Sequence, residues 1–487
     1  MDAMINPVEI TSYSQSITLQ DKNTLTFNDS VLNVGALSSQ LSLYQRLKFI
    51  LFQTVPHRQI LRANFEPNTR ALSIPYIAKG NKKLFQLHVF EGIVQESDTP
   101  HAERWVEVLM KAIYEDAGIK RSRRLLVLIN PFGGRKKGVE TFSKLIHPIF
   151  KMAECSLEVI YTTRTGHAQE IAKELTLDFD AVITVSGDGL VHEVLNGFAQ
   201  HADSTKAFAI PVAPIPTGSG NGLSLNLLGI EDGFDVVAAA LNAIKGKPMK
   251  VDVFSVTQGG KRTISFMSQS LGLMADLDIG TDNLRWMGDG RFIYGLLRGL
   301  VKFKPCSVQL SFKLEEDNKE KMAAAWQSRK EGRDLTIPNA ISSKSVDDTL
   351  PSLKYLQGEE DGWTIFNDSF VYVYAGKGPY VGRDFMAFPV SLPDDGLIDV
   401  MTMSRSSRSD ILLAMDGAPE GQGFWNPKVH YVKAHAYRVK PLKKDGCVSV
   451  DGESFPFEEF QVDVEKGLAT FLSPYGHYAA NFGPKRT

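Results

Sequence analysis

Three uninterrupted apolar runs, Leu125 to Ile129, Ala181 to Val185 and Phe208 to Ala213, each lead straight into a turn of small residues. A run without polar alternation reads as a strand covered on both faces, which restricts the chain to a sheet packed between helices. The turns are NPFGGRKKG at 130–138, SGDG at 186–189 and PTGSGNG at 216–222. Behind the second turn Leu190, Val194 and Phe198 recur at helical spacing, so the local order is strand, tight turn, helix. Glycines let a backbone turn sharply and approach a ligand, and N–H groups near helix starts are a common means of holding phosphate oxygens. Asp188 falls at the carboxyl end of a parallel strand, where open α/β sheets place their ligands. Asp is also an ordinary cap for the helix that follows.

Strand and helix alternate from Arg121 to about residue 255. A helical stripe of Val139, Phe142, Leu145, Ile146 and Ile149 precedes a strand from Leu157 to Tyr161. Further helices carry Ala168, Ile171 and Leu175, and then Phe234, Val237, Ala238 and Leu241. From about 256 to 487 short β-type segments dominate, Val251 to Thr257 through Gln461 to Val464. The expected fold class is α/β: a parallel α/β nucleotide-binding domain at 121–255, then a mainly antiparallel β domain at 256–487. Residues 1–117 carry none of the phosphate turns. They offer candidate strands at Ser16–Leu19, Thr24–Phe27, Leu47–Thr54, Gln59–Phe65, Arg70–Tyr76 and Lys83–Phe90, then a helix from about His101 to Tyr114 with Trp105, Val108 and Ala112 on one face. That pattern is similar to a pleckstrin-homology-type module. Residues from about 315 to 361 mix charges of both signs and are expected to form a flexible insertion.

Composition excludes several classes. A formal net charge of −2 gives no global attraction to nucleic acid. Cys155, Cys306 and Cys447 are too few and scattered for a disulfide framework or a metal knuckle, and are expected as free thiols in a reducing compartment. The start of the chain lacks a signal pattern and no segment approaches ~20 uninterrupted apolar residues, so the expectation is a cytoplasmic protein that at most sits on a membrane surface. One candidate for such contact is Phe292 to Phe303, framed by Arg291 and Lys304. A basic amphipathic helix there serves a membrane or a calmodulin-like partner, or else forms core of the second domain.

The three turns, in this order and spacing, resemble the superfamily of diacylglycerol, ceramide and sphingosine kinases, and most of all the sphingoid long-chain base kinases, over about 121–480. The resemblance implies an ATP- and Mg²⁺-dependent lipid kinase that phosphorylates the primary hydroxyl of a sphingoid base. Asp188 would be the base that takes the hydroxyl proton. Nucleotide contacts would come from Asn130, Gly133, Gly134, Thr162, Ser186, Gly187, Gly189, Glu193, Gly218, Ser219 and Gly220. Arg285, Arg291 and the turn Asp451-Gly452-Glu453 would add to these, and Asp-Gly is also an ordinary hairpin turn. Asp278 and Ser268 would bind the lipid head. The alternatives are a diacylglycerol or ceramide kinase, or a non-catalytic lipid-binding relative. Ser219 followed by Gly220 and Asn221 departs from the patterns of the first two, and no phosphate turn is lost.

Overall fold

A computed structural model of the chain describes residues 16–21, 23–36, 54–80, 83–134, 136–280, 305–332, 350–355 and 361–486. Arg285, Arg291 and the Phe292–Lys304 segment lie outside the described residues. The chain divides into two compact units, Met1–Ser122 with Ile149–Glu154, and Arg123–Pro148 with Cys155–Thr487. No helix among the described residues is long and apolar enough to cross a membrane.

In the first unit β1 (Ser16–Thr18), β2 (Asn23–Phe27), β3 (Val31–Ala36) and β4 (Thr54–Pro56) form one antiparallel sheet. A second antiparallel sheet contains β5 (Asn64–Glu66), β6 (Ala71–Lys79) and β7 (Phe85–Ile93). The helix α1 (Thr99–Ile113) buries Ala102, Trp105, Leu109 and Ile113, with Trp105 edge-on to Phe27 at 5.4 Å. Val108 is exposed, which corrects the expected face. Helical steps of four from Trp105 reach Leu109 and Ile113, not Val108. Most of the strand expected at Leu47–Thr54 lies outside the described residues, and the one expected over 59–65 shortens to Asn64–Glu66.

The second unit is organised around a parallel layer of β8 (Arg124–Ile129), β9 (Ser156–Tyr161), β10 (Ala181–Ser186) and β11 (Val212–Pro216), in the order β9-β8-β10-β11. Every residue of β10 and β11 is buried, as the apolar runs require. The chain leaves β8 in one direction, to β9, and later extends the sheet in the other through β10 and β11. The β8–β10 boundary is therefore a topological switch point, where a crevice opens at the strand ends. Ile129 stands opposite Val185, and Ser186 opposite Pro216, so all three small-residue turns start level along one sheet edge.

Two local expectations change. Phe208 and Ala209 end a helix (Ser204–Ala209) capped by Asp203, whose side chain accepts from the Lys206 N–H, and the strand starts only at Val212. The helix over 138–152 holds a π-helical stretch at Phe142–Ile146. Its longer repeat breaks the expected stripe: Phe142, Ile146 and Ile149 are buried, whereas Val139 and Leu145 are exposed.

One sheet runs from the α/β layer into the β-rich part. The long strand β12 (Lys247–Gln258) runs antiparallel to β13 (Lys261–Ser265) and to β23 (Phe460–Ser473), β23 joins the parallel layer beside β11 at Val212–Phe471, and β17 (Tyr380–Gly382) and β18 (Phe385–Met386) form a separate pair. The sheet continues through β20 (Val429–Pro441), β15 (Cys306–Glu316), β16 (Thr364–Gly376), β14 (Ser268–Gly272), β21 (Val448–Val450) and β22 (Glu453–Phe455). Because β19 (Ile398–Ser404) pairs with both β16 and β20, these strands wrap round a core that includes Phe254, Leu310, Val373, Val400 and Tyr437. The insertion expected to be unordered over 315–361 contains a helix, Lys319–Lys330. Asn318 caps it through the Lys321 N–H, and Met322 and Trp326 are buried in a second core cluster. Two apolar anchors placed four apart are enough to dock it despite a polar average composition.

Candidate active site

The glycines of the three turns are required by contact between backbones. A Cβ on Gly134 (φ 54°) would lie 2.5 Å from the Thr217 carbonyl oxygen, one on Gly187 2.5 Å from that of Gly220, and one on Gly218 2.2 Å from the Gly187 Cα. Asn221 braces the third turn from within: its Oδ1 accepts from the Gly218 N–H at 3.1 Å and its Nδ2 donates to the Gly218 carbonyl at 3.0 Å. Asn130 folds the first turn by accepting from the Phe132 N–H at 2.9 Å. Among the described residues the amides of Gly133, Gly134, Gly189, Ser219 and Gly220 donate to no protein group. They line a cavity of about 210 Å³ with Asn130, Ser186, Gly187, Asp188 and Gly218. Such a set of free amides beside helix starts fits nucleotide phosphates.

Asp188 opens the helix Asp188–Ala199, yet its carboxylate caps a different one. Oδ2 accepts from the Gly222 N–H at 2.7 Å and Oδ1 from the Leu223 N–H at 3.1 Å, at the start of the helix Gly222–Asp232. Burial pushes its pKa up to about 6; the two N–H donors oppose this and the charge of Asp451 adds to it. A carboxyl raised in the fold lowers stability as pH climbs from about 4 to about 6, and adds no further change above that. The same shift predicts an acid limb in activity: kcat/KM should fall about tenfold per pH unit below about pH 6 if Asp188 must be ionised to act. A profile flat down to pH 4.5 would show that Asp188 does not take the proton.

The facing wall belongs to the β-rich part. Ser268 starts β14, Tyr374 lies on β16, and Asp278 lies on the helix Leu273–Ile279, within reach of the Ser270 hydroxyl at 3.3 Å. Burial holds the Tyr374 phenol far above its usual pKa, and Asp278 adds to the rise while a hydrogen bond with Ser268 opposes it. Asp276 lies on the same helix and accepts from the Cys447 thiol at 3.0 Å.

Three of the expected nucleotide contacts are engaged elsewhere. Thr162 is buried, bonds back to the Ile129 carbonyl and is absent from the cavity, which Thr165 lines instead. Glu193 lines the cavity but accepts from the Ala168 N–H at 3.0 Å, capping the helix His167–Lys173. Asp451 points inward. Its carboxylate accepts from the Ser265 hydroxyl and from three successive amides, Phe266, Met267 and Ser268, at 2.8–3.1 Å. His192 Nδ1 donates to it at 2.8 Å. Burial alone would lower the His192 pKa; the bond and charge of Asp451, with Glu453 and Glu193 behind, raise it. Asp451 thus positions the Ser268 backbone, and it lines the cavity together with Gly452 and Glu453.

The geometry agrees with the comparisons. Residues 124–256 match the family described as "Diacylglycerol kinase catalytic domain", and residues 356–468 that described as "YegS C-terminal NAD kinase beta sandwich-like domain". The chain is 33% identical to sphingoid long chain base kinase 4 of Schizosaccharomyces pombe over 427 residues, covering 86% of this chain and 88% of that one. It is 30% identical to sphingoid long chain base kinase 5 of Saccharomyces cerevisiae, covering 92% and 71%, and 28% identical to human sphingosine kinase 1, covering 73% and 92%. A solved diacylglycerol kinase structure from Bacillus anthracis shares the fold, with a TM-score of 0.50 at 19% identity over 72% of this chain and 98% of that one. The chain belongs to the sphingoid long-chain base kinases, lipid kinases built on the diacylglycerol kinase catalytic fold.

Proposed function

We propose that the protein transfers the terminal phosphoryl group of ATP to the primary hydroxyl of a sphingoid long-chain base, giving the 1-phosphate. The observation that carries this reading is one cavity with unengaged amides and Asp188 on one wall, and Ser268, Tyr374 and Asp278 on the other. The amides of the three turns hold the phosphates, and Asp188 takes the proton from the hydroxyl as its oxygen attacks the terminal phosphorus and ADP leaves. Mg²⁺ bound with the nucleotide, held by phosphate oxygens and water, would spread the charge of the transferred group. Purified protein with labelled ATP and a panel of sphinganine, phytosphingosine, sphingosine, ceramide and diacylglycerol tests the substrate class. Preference for either neutral lipid overturns it.

Selectivity follows from charge. A sphingoid base carries a free ammonium beside the reacting hydroxyl, and ceramide and diacylglycerol do not. Asp278 gives that ammonium a charge-assisted hydrogen bond that a neutral lipid has no charge to make. Asp278→Asn should raise KM for sphinganine about 10- to 100-fold, the scale of one charged contact at roughly 1.5–3 kcal/mol, and leave KM for ATP nearly unchanged. Equal losses for both substrates would make Asp278 a structural residue.

Among the described residues of the first unit, seven strands precede the helix α1, a pattern that supports a pleckstrin-homology-like reading. In that reading it tunes docking of the cytoplasmic enzyme to the membrane that supplies the lipid, and leaves the chemistry to the second unit.

A further inference from the structure

A second cavity, of about 360 Å³, shares no lining residue with the first. The start of β12 contributes Lys250, the last turns of the helix Lys319–Lys330 contribute Trp326, Arg329 and Lys330, and the polar lining also includes Ser391, Asp394, His477 and Tyr478. That helix falls between the two regions matched to known families, 124–256 and 356–468, so one wall comes from a segment neither covers.

The charges around this cavity do not balance. Arg329 is answered by Asp394, Nη2 to Oδ1 at 2.9 Å. Lys250 donates to the Thr470 hydroxyl at 3.0 Å. Lys330 donates to the Ala480 carbonyl at 3.3 Å and to Asn481 Oδ1 at 3.2 Å, and its ammonium sits 4.9 Å from the Trp326 ring centre. Among the described residues neither lysine has a carboxylate partner. Each ammonium carries three donors, so both retain capacity for an incoming acceptor. Partial desolvation depresses the Lys250 pKa, while the residue stays exposed and so open to an incoming ligand.

We propose that this cavity binds a phosphate monoester as its dianion, with Lys250 and Lys330 donating to the phosphate oxygens and the Trp326 wall packing against the organic part. Two uncompensated ammonium groups match a dianion, whereas a carboxylate answers only one of them. The monoester is supplied either by a soluble ester or by the headgroup of a phosphatidate in a membrane.

The test uses the full chain with a non-hydrolysable ATP analogue saturating the nucleotide site. Glycerol 3-phosphate is titrated by calorimetry, and vesicles of phosphatidylcholine with phosphatidate, or with phosphatidylglycerol at equal charge, are used in flotation. The wild type should bind in at least one arm, and Lys250→Gln/Lys330→Gln should weaken that binding at least about tenfold, the scale of losing charged hydrogen bonds. Lys250→Arg/Lys330→Arg should retain it, and basal turnover should be unchanged in both variants. Binding to glycerol 3-phosphate alone supports the site with a soluble source; binding to phosphatidate vesicles supports it with a membrane source. The proposal is overturned if the glutamine variant binds as the wild type does, if phosphatidylglycerol serves as well as phosphatidate, or if the wild type binds nothing up to about 10 mM ester.

Discussion

Asp188→Asn is expected to lower kcat about 10²- to 10⁴-fold, the loss typical of a removed general base, with KM for ATP changed less than about threefold. The structure makes this a sharper test than the sequence did, because the same carboxylate also caps the helix Gly222–Asp232. Asparagine keeps one acceptor, enough for the 2.7 Å bond from Gly222, and turns its amino group toward the Leu223 N–H. The lost bond costs about 0.5–1.5 kcal/mol, partly offset because a neutral amide escapes the desolvation that raises the Asp188 pKa. The variant should therefore fold and hold nucleotide. Thermal melting and binding of a non-hydrolysable ATP analogue check the first half, and single-turnover rates check the second. Turnover above about a tenth of wild type would leave Asp188 only its capping role.

The part of this site legible in the sequence is the part written locally. Buried strands announce themselves as apolar runs, and a turn that must press backbone on backbone can only be built from glycine, so Gly134, Gly187 and Gly218 stand out. What stayed hidden depends on partners far along the chain. Asp451-Gly452 reads as any hairpin turn, and nothing near it reveals that its carboxylate will bind His192, 259 residues away, and the amides of 266–268. Thr162 and Thr165 sit in one short polar loop, and only its packing against β8 decides which faces the cavity. The unity of the two halves of the second unit was equally hidden. It rests on β23 bridging strands more than two hundred residues earlier, for which no periodicity exists.

The largest stability effect should come from a residue that sequence reading passes over. Lys377, directly after β16, is fully buried and lies 2.8 Å from Asp252 Oδ2, 2.5 Å from Asp395 Oδ1 and 2.6 Å from the Leu397 carbonyl oxygen. Lys433 reaches Asp395 at 3.1 Å and Asp399 at 2.8 Å, so three carboxylates share two ammonium groups out of water. Burial works against every charge here. It raises Asp252, which Lys377 only partly offsets, whereas at Asp395 the two lysines overcome burial and hold the carboxyl well below its usual range. A buried network of this kind adds little net stability over apolar packing, but breaking it leaves charge uncompensated and costs about 3–5 kcal/mol. Lys377→Met keeps the bulk and removes the charge, so that loss is expected in denaturant unfolding at pH 7.5. The sign with pH follows from the carboxylates left behind. Their pKa values rise in the folded variant, so its deficit should shrink as pH falls and they take up protons. A loss below about 1 kcal/mol, or a deficit that grows in acid, would show that water or rearrangement already screens the cluster. The consequence reaches the active site through three residues. Beyond Lys377, Tyr380 exchanges backbone hydrogen bonds with the Asn226 side chain at 2.8 and 2.9 Å, and Asn226 lies on the helix whose first amides Asp188 holds. The buried charges thus anchor the strand end that keeps this helix, and with it Asp188, at the mouth of the phosphate turns.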